Sequence, residues 1–70
     1  MTQRQAYRTM FKKYPDVLDI AKMCEMLAIG SKSAYKLLRD NKIGYLIIGR
    51  VYRIPKTNVI DYLIANSQKK

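Results

Sequence analysis

Lys32, Lys36 and Arg39 recur at intervals of four and three residues, the spacing that stacks side chains on one face of an α-helix. The chemistry such a row can do is binding rather than bond-making. Ammonium and guanidinium groups donate charge-assisted hydrogen bonds to anionic oxygens, and a guanidinium can meet two acceptors side by side. Arg50 and Arg53 follow further along, set among apolar residues. Other chemistry finds few candidates. The chain has no histidine, one cysteine (Cys24) and five acidic residues scattered along its length. No acid–base pair or activated nucleophile suggests itself, so the expectation is a protein that is not an enzyme, with no catalytic residue and no cofactor. A Cys/His metal site and a disulfide within one chain are both excluded. Cys24 reads as a small core residue, and a lone thiol fits a reducing, cytosolic setting.

Fourteen Lys and Arg against five Asp and Glu give a net charge of +9 on 70 residues. Such an excess concentrates polyanions around the chain and speeds their association with it. Double-stranded DNA is the first partner this implies; RNA or the ribosome, and an anionic membrane surface, also satisfy charge alone. The length is that of one domain, which on folding buries roughly 60% of the surface its unfolded chain exposes. The 49% apolar content must therefore hold the fold by packing. Residues 1–14 are basic but lack a continuous apolar run, so no secretory signal is read there. Nothing approaches the roughly 18 apolar residues that span a bilayer. A cytoplasmic location and no membrane partner are expected.

The elements that must position the basic residues can be read in order. Tyr7, Met10, Phe11 and Tyr14 form an i, i+3, i+4, i+7 stripe, which predicts an amphipathic helix over 3–14, closed by Pro15, with Arg4, Arg8 and Lys12 off the stripe. Asp16-Val17-Leu18 can form a short extended lead-in. Asp19 suits the N-cap of a helix from Ile20 to Leu27, with Ile20, Cys24 and Leu27 on one face and Lys22 and Glu25 on the other. Ala28-Ile29-Gly30 is a tight turn with Ile29 as an apolar plug. The next helix begins at Gly30 or Ser31 and runs to about Asp40, where Asn41 is a left-handed stop. Two helices joined by so short a Gly-containing turn form a helix-turn-helix.

On the second of these helices Ala34, Leu37 and Leu38 cluster on one side. Lys32, Lys36 and Arg39 lie opposite, flanked by Ser33 and Tyr35. An ordinary solvated face mixes both signs, whereas this one carries only Asp40 at its far end. A narrow apolar back and a basic front suit insertion into the major groove, which is about 12 Å wide and admits one helix. Beyond it, Tyr45 to Ile54 reads as two β-rich runs around Gly49-Arg50. A three-residue loop, Gly49-Arg50-Val51, would put Leu46, Ile48, Tyr52 and Ile54 on one face and turn Arg53 outward. A two-residue loop would set Leu46 and Arg53 on the same face. The first register gives the cleaner buried side and is the one expected. Pro55 ends the strand, and a last helix from Lys56 to about Ala65 buries Val59, Tyr62 and Leu63.

The predicted fold is thus mainly α with a small β-hairpin, a winged helix-turn-helix preceded by an extra N-terminal amphipathic helix. Residues 1–15 form the basic helix or arm, 16–65 the winged helix-turn-helix domain, and 66–70 a flexible basic tail. The candidate DNA-binding residues are Ser31, Lys32, Ser33, Tyr35, Lys36 and Arg39 on the recognition helix, and Gly49, Arg50 and Arg53 on the wing, against the backbone or minor groove. Lys42, Lys56, Arg4, Arg8 and Lys12 are auxiliary candidates for phosphate contact.

Leu18 to Leu63 resembles the excisionase-type DNA-binding domain, related to the winged helices of MerR-like regulators. The likeness rests on the run Ala28-Ile29-Gly30-Ser31-Lys32-Ser33-Ala34-Tyr35-Lys36-Leu37-Leu38-Arg39 and on Ile48-Gly49-Arg50 followed by Tyr52-Arg53-Ile54-Pro55. Relatives commonly have glycine where Ala28 stands and serine where Gly30 stands, which moves the expected helix start to Ser31. Ile47 and Val51 occupy wing positions that are often basic. The resemblance implies an accessory protein of a mobile genetic element that binds near its ends, distorts the DNA and favours excision by an integrase, which becomes a second partner. The same domain type also serves small transcriptional regulators. An interaction module docking on an integrase through Tyr7, Met10 and Phe11 or through the tail is the alternative from another class. Either a monomer or weak cooperative self-association on DNA is compatible with the sequence.

Overall fold

The structure, a computed structural model, describes residues 2–67. Among them are four α-helices and three short strands in the order α1 (Gln3–Met10), β1 (Val17–Leu18), α2 (Ile20–Leu27), α3 (Ser31–Arg39), β2 (Leu46–Ile48), β3 (Val51–Pro55) and α4 (Lys56–Ser67). The sheet is antiparallel, with β3 in the middle between β1 and β2. This is a winged helix-turn-helix: α2 and α3 are the helical pair, and β2 and β3 the wing.

Local chemistry sets the helix ends. Asp19 Oδ1 accepts from the Lys22 amide at 2.8 Å, and α2 starts at the next residue. It stops at Ala28, whose φ of 56° is left-handed. There the amides of Ala28 and Ile29 bond back to the carbonyls of Glu25 and Cys24. Gly30 caps α3 with extended backbone alone, and Asn41, φ 58°, provides the left-handed stop just past it. At the N-terminus Thr2 and Gln5 form a reciprocal capping box.

The core is built from Phe11, Leu18, Met23, Met26, Ala34, Leu38, Ile43, Ile54, Val59 and Ile60. Helices α2, α3 and α4 and strands β1 and β3 contribute, together with Phe11 just past α1 and Ile43 in the loop before β2. On α2 the buried face is centred on Met23 and Met26, while Ile20, Cys24 and Leu27 pack at its edge. The expected stripe was rotated because α2 is covered by both α3 and β3, and two neighbours bury a wider arc than one. On α4 the same effect buries Val59 and Ile60, with Tyr62, Leu63 and Ile64 packed alongside.

Two expectations are corrected. The first helix ends at Met10, not at Tyr14. Phe11 leaves helical geometry (φ −102°, ψ 23°) as its ring enters the core, and a turn brings Tyr14 back against it edge-on at 6.0 Å. Met10, expected on the buried stripe, is 63% exposed; the inward side of this segment is the narrower line of Tyr7 and Phe11, whose rings stack at 6.2 Å. The second correction is the wing register. Leu46 pairs with Arg53, Ile47 with Tyr52 and Ile48 with Val51, leaving the two-residue loop Gly49-Arg50. The expectation assumed that burial selects the register, but Leu46, Ile47, Ile48 and Val51 are all exposed, so neither face of the outer wing is a core face. Turn geometry decides instead: Gly49 takes φ +66°, the primed-turn conformation that glycine adopts without strain and that suits the twist of a tight hairpin. Helix α4 extends to Ser67, and the rest of the expected basic tail, 68–70, lies outside the described residues.

Candidate nucleic-acid interface

Helix α3 is held from behind by Ala34 and Leu38, both essentially buried, with Leu37 half-buried beside them. That anchorage turns Ser31, Lys32, Ser33, Tyr35, Lys36 and Arg39 to solvent together. No carboxylate answers them. Of the five acidic residues, Asp61 pairs with Arg4 at 2.6 Å, Glu25 with Lys22 at 3.9 Å and Asp16 with Lys56 at 3.7 Å, Asp19 caps α2, and Asp40 stands exposed at the C-terminal end of α3 without an ion pair to any of these bases. Among the described residues Lys32, Lys36, Arg39, Arg50 and Arg53 have no ion-pair partner. Bases on α1, α2 and α4 take up these carboxylates, and α3 and the wing keep the positive charge.

The wing stands beside α3 through three tyrosines. Tyr35 meets the ring of Tyr52 edge-on at 5.3 Å, and Tyr52 stacks on Tyr45 at 5.5 Å with 29° between the planes. Two hollows flank this contact. One of about 200 Å³ is lined by Tyr35, Leu38, Arg39, Tyr45 and Tyr52. Another of about 290 Å³ is lined by Tyr35, Arg50, Val51 and Tyr52 together with the start of α2. Arg39 and Arg50 are therefore gathered around one aromatic pair. Arg53 is one residue from Tyr52 and projects from the other face of β3, with Leu46 across from it.

The auxiliary basic residues are dispersed. Arg4 is engaged with Asp61 on α4, while Arg8 and Lys12 are exposed at the end of α1 and just after it. Lys42 borders an open hollow against α4 with Asn58, Asp61 and Tyr62. Lys56 is placed differently from a phosphate contact: only 13% of its side chain is exposed, and its ammonium donates to the carbonyls of Tyr14 at 2.9 Å and Phe11 at 3.5 Å. Tyr45, which opens the first β-rich run, and Tyr52, on the expected buried face of the hairpin, are brought to the site by the packing of the wing on α3.

No helix among the described residues is long and apolar enough to cross a membrane. A family model described as a helix-turn-helix domain matches residues 17–67, from β1 through α4. No curated protein and no solved structure shows a significant match to the chain. The matched segment takes in most of the sequence and both helices of the basic-faced pair, and on these grounds the protein belongs to the helix-turn-helix domain family, whose partner is DNA.

Proposed function

We propose that the protein binds duplex DNA in a sequence-specific manner and does no chemistry on it. Helix α3 reads the major groove through Lys32, Lys36 and Arg39, with Ser31, Ser33 and Tyr35 at the margins. The wing, residues 49–53, lies against the backbone or the adjacent minor groove with Arg50 at its tip. The observation that carries this reading is the single-signed, unpaired basic face of α3, which shares its aromatic border with the wing arginine. Groove dimensions support it, since one helix fills the major groove and a narrow hairpin tip with arginine suits the minor groove. The biological role we propose is that of an excisionase, assisting a recombinase that carries out strand exchange in the cytoplasm. Support for that role is the likeness of Ala28–Arg39 and Ile48–Pro55 to excisionase-type domains; a small regulator of transcription would use the same face.

Selection from random duplex DNA near physiological salt, run beside Arg39→Ala, tests the binding claim. An enriched motif that Arg39→Ala loses or relaxes is expected, with a cost of about 1–3 kcal/mol if the guanidinium grips a base edge. Binding that fades with salt and enriches nothing would sink it. The excisionase role is tested by measuring excision of a linked element with a recombinase, with and without the protein; no change in yield on a DNA the protein demonstrably binds would favour the regulator.

A further inference from the structure

The wing is held by little of its own. Leu46, Ile47, Ile48 and Val51 are exposed, and the tip is a two-residue turn. A two-stranded ribbon of this length is marginal in water by itself. Its angle to α3 must be set at its root, where Ile54 and Pro55 pair with β1 and the ring contacts to α3 are aromatic. Tyr52 sits between Tyr35 of the recognition helix and Tyr45 at the base of β2. Tyr35 and Tyr52 line both flanking hollows, one shared with Arg39 and the other with Arg50, so the pair forms the partition between the two arginines.

We propose that Tyr52 is a positioning residue for DNA recognition: its ring fixes the wing's angle to α3, and with it the separation of Arg50 from Arg39. This rests on the DNA reading above. Two contacts made by a rigid body are both available on docking, whereas a loose wing must be ordered on the DNA and part of its contribution is lost to that ordering. The ring does this work rather than the hydroxyl, because among the described residues the Tyr52 hydroxyl has no hydrogen bond. Phenylalanine should therefore substitute for it, and alanine should not.

The test is a double-mutant cycle on the duplex that the wild-type protein selects, paired with backbone ¹⁵N relaxation of the free protein. Arg50→Ala and Arg39→Ala are each measured in wild-type, Tyr52→Phe and Tyr52→Ala backgrounds. The proposal expects Arg50→Ala to cost about tenfold in wild-type and Tyr52→Phe but less than about twofold in Tyr52→Ala. Arg39→Ala should cost the same in all three. In free Tyr52→Ala the amide order parameters of residues 48–51 should fall from about 0.85 towards 0.6 or below. Tyr52→Leu, which keeps apolar bulk at the root, replaces Tyr52→Ala if the latter unfolds. An Arg50→Ala cost that is equal in the wild-type and Tyr52→Ala backgrounds, or absent in wild-type, overturns the proposal, as do wing amides that stay rigid. If Arg39→Ala is silent everywhere, the DNA reading itself fails, and the relaxation data alone then decide whether Tyr52 holds the wing.

Discussion

Lys56 was a reasonable phosphate ligand by type, and the structure assigns it to the fold, so replacing it separates the two roles. Its ammonium donates to the Tyr14 carbonyl at 2.9 Å and to the Phe11 carbonyl at 3.5 Å, and lies 3.7 Å from Asp16 Oδ1. Those carbonyls belong to the turn that follows α1, so Lys56 closes the end of the arm onto α4. Lys56→Met keeps most of the aliphatic stem and removes the donors. A hydrogen bond to a charged group contributes about 1.5–3 kcal/mol. The 3.5 Å contact is at the outer limit of bonding and adds little. Asp16 is 99% exposed, which leaves that ion pair in the range of about 0–1 kcal/mol. The entropy of ordering the two side chains is similar and nearly cancels. We expect a loss of about 1–2 kcal/mol, which in a domain of this size lowers the melting temperature by about 5–15 °C. Thermal unfolding followed by circular dichroism reads this directly. The salt dependence of DNA binding should not change. An unaltered melting temperature together with a salt slope reduced by about one would refute the reasoning and return Lys56 to the phosphate contacts.

Two further outcomes follow from the backbone. Ala28 holds a left-handed φ with an exposed side chain, so Ala28→Gly should stabilise by about 0.5–1 kcal/mol: relief of about 1–2 kcal/mol of strain exceeds the extra chain entropy glycine loses. A urea midpoint that stays put or falls would contradict it. Leu46 is 61% exposed in the two-residue register, so Leu46→Lys should leave stability within about 0.5 kcal/mol. A loss above about 2 kcal/mol in urea unfolding would instead put Leu46 on a buried face, as the three-residue register requires.

The parts legible in the sequence were those fixed by local chemistry. Asp19 as a cap, Asn41 as a left-handed stop and the opposition of Ala34 and Leu38 to Lys36 and Arg39 depend on neighbours within a turn or two, and α2 and α3 appear where these signals put them. The wing register was not legible, because apolar alternation specifies register only where one face is buried, and the outer wing buries neither. The end of α1 was missed for a related reason: a stripe shows which residues could be buried together, and only the approach of α4 determined that Phe11 would be and Met10 would not. The aromatic contact of Tyr35, Tyr45 and Tyr52 joins α3, the loop before β2 and β3 through the angle of the wing. No spacing in the chain encodes that angle.

Net charge is a poor guide to where a basic protein binds, and the arrangement here shows why. A charge of +9 would be unchanged if Asp16, Glu25 and Asp61 stood on α3, yet the face would then carry both signs and its attraction for phosphate would be largely local and screened. What gives α3 its field is that those carboxylates are engaged elsewhere, with Lys56, Lys22 and Arg4, in pairs of small individual worth to stability. Their consequence lies in subtraction: each pair neutralises a base away from the reading face and leaves those of α3 and the wing unanswered. Removing a partner such as Asp61 would raise the total charge without adding to the α3 face, whereas one acid placed at Ser33 would cut into the field where a helix must meet the groove.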